Sequence, residues 1–278
     1  MASVIYTIAE NTGIIIAGNV FATLLSMASN IVLVRHLGAA DFGTYSFVFA
    51  FLGFFGIVMD LGTSRILLRE ISADESRADI FIGNALMMRL VLSTVAVFLA
   101  CGIIRFLNYP LQTKTFVYVA SLGFLLSFGS IYPLIFQGKL KMVYPTLMTI
   151  VAGVVRLSVL AYLAFIHARL FWFVLATPLM EVPGIAFIMF FSRTLIRPRF
   201  TFEAKIWKYL LRESWPIALT ATFIMIYTRI DQLMLYQMKG DSALGGYSAM
   251  VKITEMFTII PGAFMATVFP LFSRYFIR

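Results

Sequence analysis

Residues 31–72 read IVLVRHLGAADFGTYSFVFAFLGFFGIVMDLGTSRILLREIS. An apolar helix ends, a polar turn follows over Arg35–Ser46, a second apolar helix starts, and a basic amphipathic segment leaves it. Gly38 and Gly43 suit a tight reversal, where a positive φ or a close backbone approach leaves no room for a side chain. The same turn returns 202 residues later, with Gly38, Gly43, Tyr45 and Ser46 falling on Gly240, Gly245, Tyr247 and Ser248 without a gap. Apolar flanks agree at that offset, among them Phe21 with Phe223, Leu33 with Leu235, Phe55 with Phe257 and Ile57 with Ile259. Apolar residues match easily by chance, so the weight rests on the Gly-x4-Gly-x-Tyr-Ser spacing between two apolar helices, found twice. It marks an internal repeat.

Around this stretch the composition sets the class. Of 278 residues, 61% are hydrophobic and only 13% charged, and the mean hydropathy is +0.92. A soluble domain carries about a quarter charged residues. Apolar runs of about 20 residues, repeated along the chain, make this an all-α polytopic membrane protein. Eight spans are predicted, at 12–34, 43–63, 80–104, 114–136, 144–166, 171–192, 213–238 and 245–271. The opening MASVIYTIAENTG has neither the basic segment nor the cleavage site of a signal peptide. The single cysteine, Cys101, excludes an internal disulfide, and neither histidine has a partner at metal-ligand spacing.

Two longer connections stand out, Ser64–Asp79 and Arg193–Arg212. In the second, Ile206, Tyr209 and Leu210 oppose Lys205 and Lys208, the pattern of a helix lying on the membrane surface. With the N-terminus inside, thirteen of the 22 lysines and arginines fall on the cytoplasmic side, five outside and four within spans. The positive-inside bias therefore places the N-terminus in the cytoplasm and accounts for the net charge of +9 without nucleic acid.

The four cations within spans are Arg89, Arg156, Arg229 and Lys252, and the acids within spans are Asp60, Glu181, Asp231 and Glu255. A cation deep in a bilayer is costly and turns toward a bundle interior, a watery cavity or a counter-ion. Lys252 and Glu255, three apart, either neutralise each other or serve a site. Asp60 lies near a span end, with Arg65 and Arg69 just beyond it, and reads as an interfacial cap or pair. Arg229 and Asp231 point to different helix faces. Arg89 and Arg156 have no partner three or four residues away, which favours attraction of an anionic headgroup. Pro178 and Pro183 bracket Glu181 and break its helix. A carboxylate there either takes H+ or Na+ or pairs with Arg89 or Arg156.

No Walker loop, GxSxG elbow or HExxH occurs, and the loops are too short for a catalytic domain. No catalytic residue, cofactor or metal ligand is assigned. Transport is the leading class, and the enzymatic rival is a membrane-embedded glycosyltransferase or polymerase.

Several motifs add a resemblance: Val34-Arg35-His36-Leu37-Gly38-x4-Gly43-x-Tyr45, Asp60-Leu61-Gly62, Arg69-Glu70-Ile71, Arg229-Ile230-Asp231-Gln232, Ile260-Pro261 and Phe269-Pro270. With them the chain resembles polysaccharide flippases of the multidrug/oligosaccharidyl-lipid/polysaccharide exporter superfamily. The resemblance implies movement of an isoprenoid-diphosphate-linked oligosaccharide across the cytoplasmic membrane of a prokaryote, with glycan polymerases or transferases as candidate partners. It also implies cations lining a cavity between two lobes. Assigning Arg89, Arg156, Arg229 and Lys252 to that role rests on their depth in the spans, because no family motif fixes them. Glu181, Asp231 and Glu255 are the candidates for ion coupling or pairing. The competing transporter reading is an ion-coupled multidrug exporter of the same fold, which would need acids rather than cations.

The repeat then organises the chain. Residues 1–192 form a six-helix N-terminal lobe, 193–212 a cytoplasmic amphipathic linker, and 213–278 the first two helices of a second lobe. An offset of 202 maps Arg278 onto position 76 of the first copy. The chain is thus expected to be C-terminally incomplete by four helices and unable to flip substrate alone.

Overall fold

The repeated turn is one residue wide. In the computed structural model, which describes the backbone of residues 2–257 and the side chains of residues 15–255, helix α1 runs Ala2–Asp60 with a single non-helical residue, Gly38. Gly38 has φ 69° and ψ −179°. Its counterpart Gly240, between α9 (Ala204–Lys239) and α10 (Asp241–Phe257), has φ 81° and ψ −173°. That region of backbone space belongs almost to glycine alone, so the two copies share a conformation as well as a spacing. The turn expected over Arg35–Ser46 is shorter than the sequence suggested, because one glycine makes the break and the residues on either side stay helical. Ser26 and Asn30, before Gly38, line the same cavity as Tyr45, Ser46 and Phe49 after it. The two halves of α1 therefore fold back on each other as the two predicted spans.

The second glycine of each turn has a separate task. A Cβ on Gly43 would lie 1.8 Å from the Asp241 carbonyl oxygen, and one on Gly245 would lie 1.8 Å from the Ala39 carbonyl oxygen. Residues 39 and 241, like 43 and 245, are repeat equivalents. The contact is reciprocal, as at a two-fold interface, and only glycine permits this approach.

After α1 come α2 (Thr63–Ala73), α3 (Ala78–Phe106), α4 (Leu111–Ser121), α5 (Tyr132–Gly138), α6 (Val143–Phe165), α7 (Leu170–Leu179) and α8 (Val182–Ser192), of which α3, α4, α6 and α7 pack on α1. Part of the connection read as Ser64–Asp79 is helical, since α2 buries Ile66, Leu67 and Ile71. The span predicted at 114–136 is α4, a ten-residue 3₁₀ stretch Leu122–Ile131, and α5. Along that stretch Gly123 meets Pro178 and Gly129 meets Ile185 so closely that a Cβ would approach within 2.4 and 2.6 Å. The span predicted at 171–192 is broken into α7 and α8 at Met180–Glu181, between Pro178 and Pro183. Proline removes ladder hydrogen bonds and clashes with the preceding turn.

Helix α9 begins at Ala204, so the segment read as a surface helix is continuous with the seventh span. Ile206 and Leu210 are buried in one core with Ile66, Leu67 and Ile71 of α2 and Phe81, Ile82 and Ala85 of α3. This apolar face packs on protein, while Lys205 and Lys208 face outward. Upstream, the Arg199 amide donates to the Asp79 carbonyl at 3.1 Å, and the Arg199 guanidinium pairs with the Asp79 carboxylate at 2.7 Å. The Glu203 amide donates to Oδ1 of fully buried Asn84 at 2.9 Å. The linker is thereby fastened along the start of α3.

The connections sort to two ends. At one end Lys139 pairs with Glu75, Arg199 with Asp79, and Arg69 donates to the Tyr209 hydroxyl. At the other, His36 meets the Ala168 carbonyl at 3.2 Å and Tyr109 packs on Tyr236. Between them the outer surface is apolar, with Val91, Phe98 and Leu99 of α3 49%, 73% and 43% exposed. Such a surface needs lipid rather than water against it. Among the described residues, five helical segments are long and apolar enough to cross a membrane, the first holding both spans folded at Gly38. Of the predicted span 245–271, the part beyond Phe257 lies outside the described residues, as do Ile259, Pro261 and Pro270.

Candidate functional site

The candidate cavity is built first by α1. Asn19, Thr23, Ser26 and Asn30 recur at the i, i+4, i+7, i+11 spacing of one helix face, and all four line an open cavity of about 460 Å³. Sequence reading passed over this stripe, although its signal was available: polar residues at helical spacing within an apolar span. Met148, Thr149, Ala152, Gly153 and Arg156 of α6 form the facing wall, with Glu181 at the α7–α8 break and Lys252 and Glu255 on α10. An adjoining cavity of about 310 Å³ shares Ser26, Asn30, Arg156 and Lys252 and adds Tyr45, Ser46, Arg229 and Gln232. Tyr45 is held by a 2.9 Å hydrogen bond with Thr177.

Of the four intramembrane cations, three meet here. Arg156 pairs through Nη2 with Glu181 Oε1, so the helix break delivers its carboxylate to a guanidinium 25 residues earlier. Among the described residues the buried Arg156 Nε has no hydrogen-bond partner. On the other side, Glu255 is shared: Arg229 Nη2 lies 3.3 Å from Oε1 and Lys252 Nζ lies 2.9 Å from Oε2. Lys252 and Glu255 thus form the local pair that their spacing allows, with Arg229 added from α9. Three cations face two carboxylates, leaving the lining formally positive by one charge among the described residues.

Arg89 is placed elsewhere. It is 6% exposed and donates to Asp60 Oδ1 and, at 2.7 Å, to Ser64 Oγ. The Ser64 hydroxyl also donates to Asp60 Oδ1 at 2.6 Å. This is an internal pair joining the end of α1 to α3, and Arg89 is not among the residues lining either cavity. Asp231 likewise lines neither cavity and accepts from the Tyr247 hydroxyl of α10. Among the described residues no group of three or more His, Cys, Asp or Glu side chains is placed to hold a metal ion.

The family described as polysaccharide biosynthesis protein matches residues 8–276. The chain belongs to that family. Two solved structures share the fold of this polysaccharide biosynthesis family member. One is described as a MOP superfamily transporter from Pyrococcus furiosus with a binding pocket of reverse polarity, at 19% identity and TM-score 0.69, covering 94% of this chain and 63% of that one. The other is the MATE multidrug transporter DinF-BH, solved as a ligand complex, at 15% identity and TM-score 0.65, covering 95% and 64%. The chain spans just under two thirds of the length of either structure. No functionally curated protein matches it.

Proposed function

We infer that this chain belongs to a membrane transporter that moves an isoprenoid-diphosphate-linked oligosaccharide from the cytoplasmic to the outer leaflet of a prokaryotic plasma membrane by alternating access. The observation that carries the reading is the convergence of Arg156, Arg229 and Lys252 on one cavity. A glycan headgroup needs such a path, because hydrocarbon about 30 Å thick excludes it. Guanidinium groups hold phosphate through bidentate, charge-assisted hydrogen bonds. Rocking of one repeat against the other would open the cavity to alternate sides.

A second reading, export of cationic drugs, is favoured by Glu181 and Glu255 in the adjoining cavity and by the multidrug transporter of similar fold. Binding to purified protein in detergent separates the two. Farnesyl diphosphate should bind, and Arg156→Ala should weaken it at least about tenfold, the scale of a lost hydrogen bond to a charged group. A lipophilic cation such as tetraphenylphosphonium should bind poorly. Preferential binding of the cation, unaffected by Arg156→Ala, would sink the glycolipid reading.

A further inference from the structure

The cavity already holds anions of its own. Each repeat presents one carboxylate to its cations: Glu181 to Arg156 in the first, Glu255 to Arg229 and Lys252 in the second. Glu181 is delivered by a proline-flanked break between two helices rather than by a straight helix face. Glu255 is the common acceptor of two cations from two helices. Both carboxylates and their cations are 28–44% exposed into the open space, so none is sealed into a dry core. Among the described residues Arg156 still has a donor without a partner, Nε. Its guanidinium is therefore only partly satisfied by Glu181, whereas a phosphate group offers more acceptor oxygens.

We propose that Glu181 and Glu255 are resident competitors, carboxylates that occupy the cation sites until they are displaced by the two phosphates of an incoming diphosphate. The proposal rests on the transporter reading and adds which residues oppose binding. Its physical reason is the cost of an uncompensated cation at membrane depth. Without an internal anion, three cations would face each other across the cavity. With one, each cluster stays compact, and the ligand must supply a better anion than a single carboxylate. A diphosphate does so, because it brings more negative charge and more acceptor oxygens to the planar fork of each arginine. A neutral or cationic molecule gains nothing from displacing a carboxylate, so the resident acids also act as a filter.

The opposite role for these acids is to position the arginines, and the two roles differ in sign. If Glu181 competes, Glu181→Gln leaves Arg156 in place and removes the rival charge, so the diphosphate binds more tightly. If Glu181 only orients Arg156, the same change loosens binding, as Arg156→Ala does. The experiment measures binding of inorganic pyrophosphate and of farnesyl diphosphate to the purified chain carrying Glu181→Gln, Glu255→Gln or Arg156→Ala. Either glutamine variant should tighten binding about three- to tenfold, and Arg156→Ala should weaken it. Tightening with both probes assigns the effect to the diphosphate group itself, and tightening with farnesyl diphosphate alone assigns it to a lipid headgroup; both support competition. Two glutamate positions are tested because a variant at the helix break can fail to fold, whereas Glu255 sits on a straight helix. Weaker or unchanged binding in the folded glutamine variants, with Arg156→Ala still harmful, would overturn competition and leave the transporter reading standing. Absence of binding by the unsubstituted chain to either probe would overturn both.

Discussion

Gly43→Ala adds one methyl group to the chain, at the place where the two repeats touch. The new Cβ would start 1.8 Å from the Asp241 carbonyl oxygen, 2.6 Å from its carbon and 2.9 Å from the Gly245 nitrogen. All three are backbone atoms, so no flexible side chain can give way. The tightest contact must open from 1.8 Å to beyond 3.0 Å, which moves α10 bodily away from α1. Overpacking of this kind costs about 1–3 kcal/mol, against the ~1 kcal/mol that alanine gains over glycine inside a helix. Gly43→Ala should therefore destabilise by up to about 2 kcal/mol. Gly245→Ala should cost about the same, because its Cβ meets the Ala39 carbonyl at the same 1.8 Å. Gly246→Ala is the control: nothing lies within 4 Å of its Cβ, so this change should stabilise by up to about 1 kcal/mol. Once one methyl has parted the helices the second has less left to displace. The double variant should thus fall short of the sum of the singles by at least about 0.5 kcal/mol. Thermal unfolding in detergent, followed by helical circular dichroism, resolves these differences at about 2–4 °C per kcal/mol. Equal, stabilising effects at Gly43 and Gly246, or full additivity of Gly43→Ala and Gly245→Ala, would refute the reciprocal contact.

The Asp60–Arg89 pair makes a second prediction. Asp60→Ala leaves the buried Arg89 guanidinium without its carboxylate and should cost about 3 kcal/mol. Adding Arg89→Met should restore much of that in the same unfolding assay, whereas a pair with no coupling would give additive losses. Outside the membrane, Tyr209 donates to Glu70 at 2.8 Å and accepts from Arg69 at 2.8 Å. The hydrogen bond to Glu70, and then desolvation, hold its phenol above the ordinary tyrosine range, while the Arg69 hydrogen bond pulls the other way. A raised folded value means that this contribution is fully present below the unfolded value of about 10 and is lost as pH rises through the folded one. Stability measured from pH 8 to 11 should therefore fall less steeply in Tyr209→Phe than in the parent, and an unchanged slope would count against the contact. For orientation, a reporter active only outside the cytoplasm should signal when fused at Asp41 or Asp241 and stay silent at Asp74, Lys139 or Thr201. Signal at Thr201 would invert the assignment of the two ends.

Much of this architecture is legible along the chain because hydropathy and turn chemistry are local. Apolar runs located most of the transmembrane segments, and Pro178 with Pro183 located the break at Glu181. Gly38 and Gly240 share a backbone conformation, as their repeat spacing suggested. The Lys252–Glu255 pair, three residues apart, needed nothing beyond the helical period. The tertiary structure decided the partners of the remaining charges. Arg89 and Arg156, both without a partner at helical spacing, looked equivalent, yet Arg89 is buried against Asp60, 29 residues before it, while Arg156 faces the cavity with Glu181, 25 residues after it. Sequence separation carries no information about such pairs. Each residue turns a helix by about 100°, so which side chains meet depends on the rotational phase and depth of each packed helix. Those are fixed only when contacts such as Gly43 on Asp241, Gly83 on Arg199 and Gly123 on Pro178 lock the helices together.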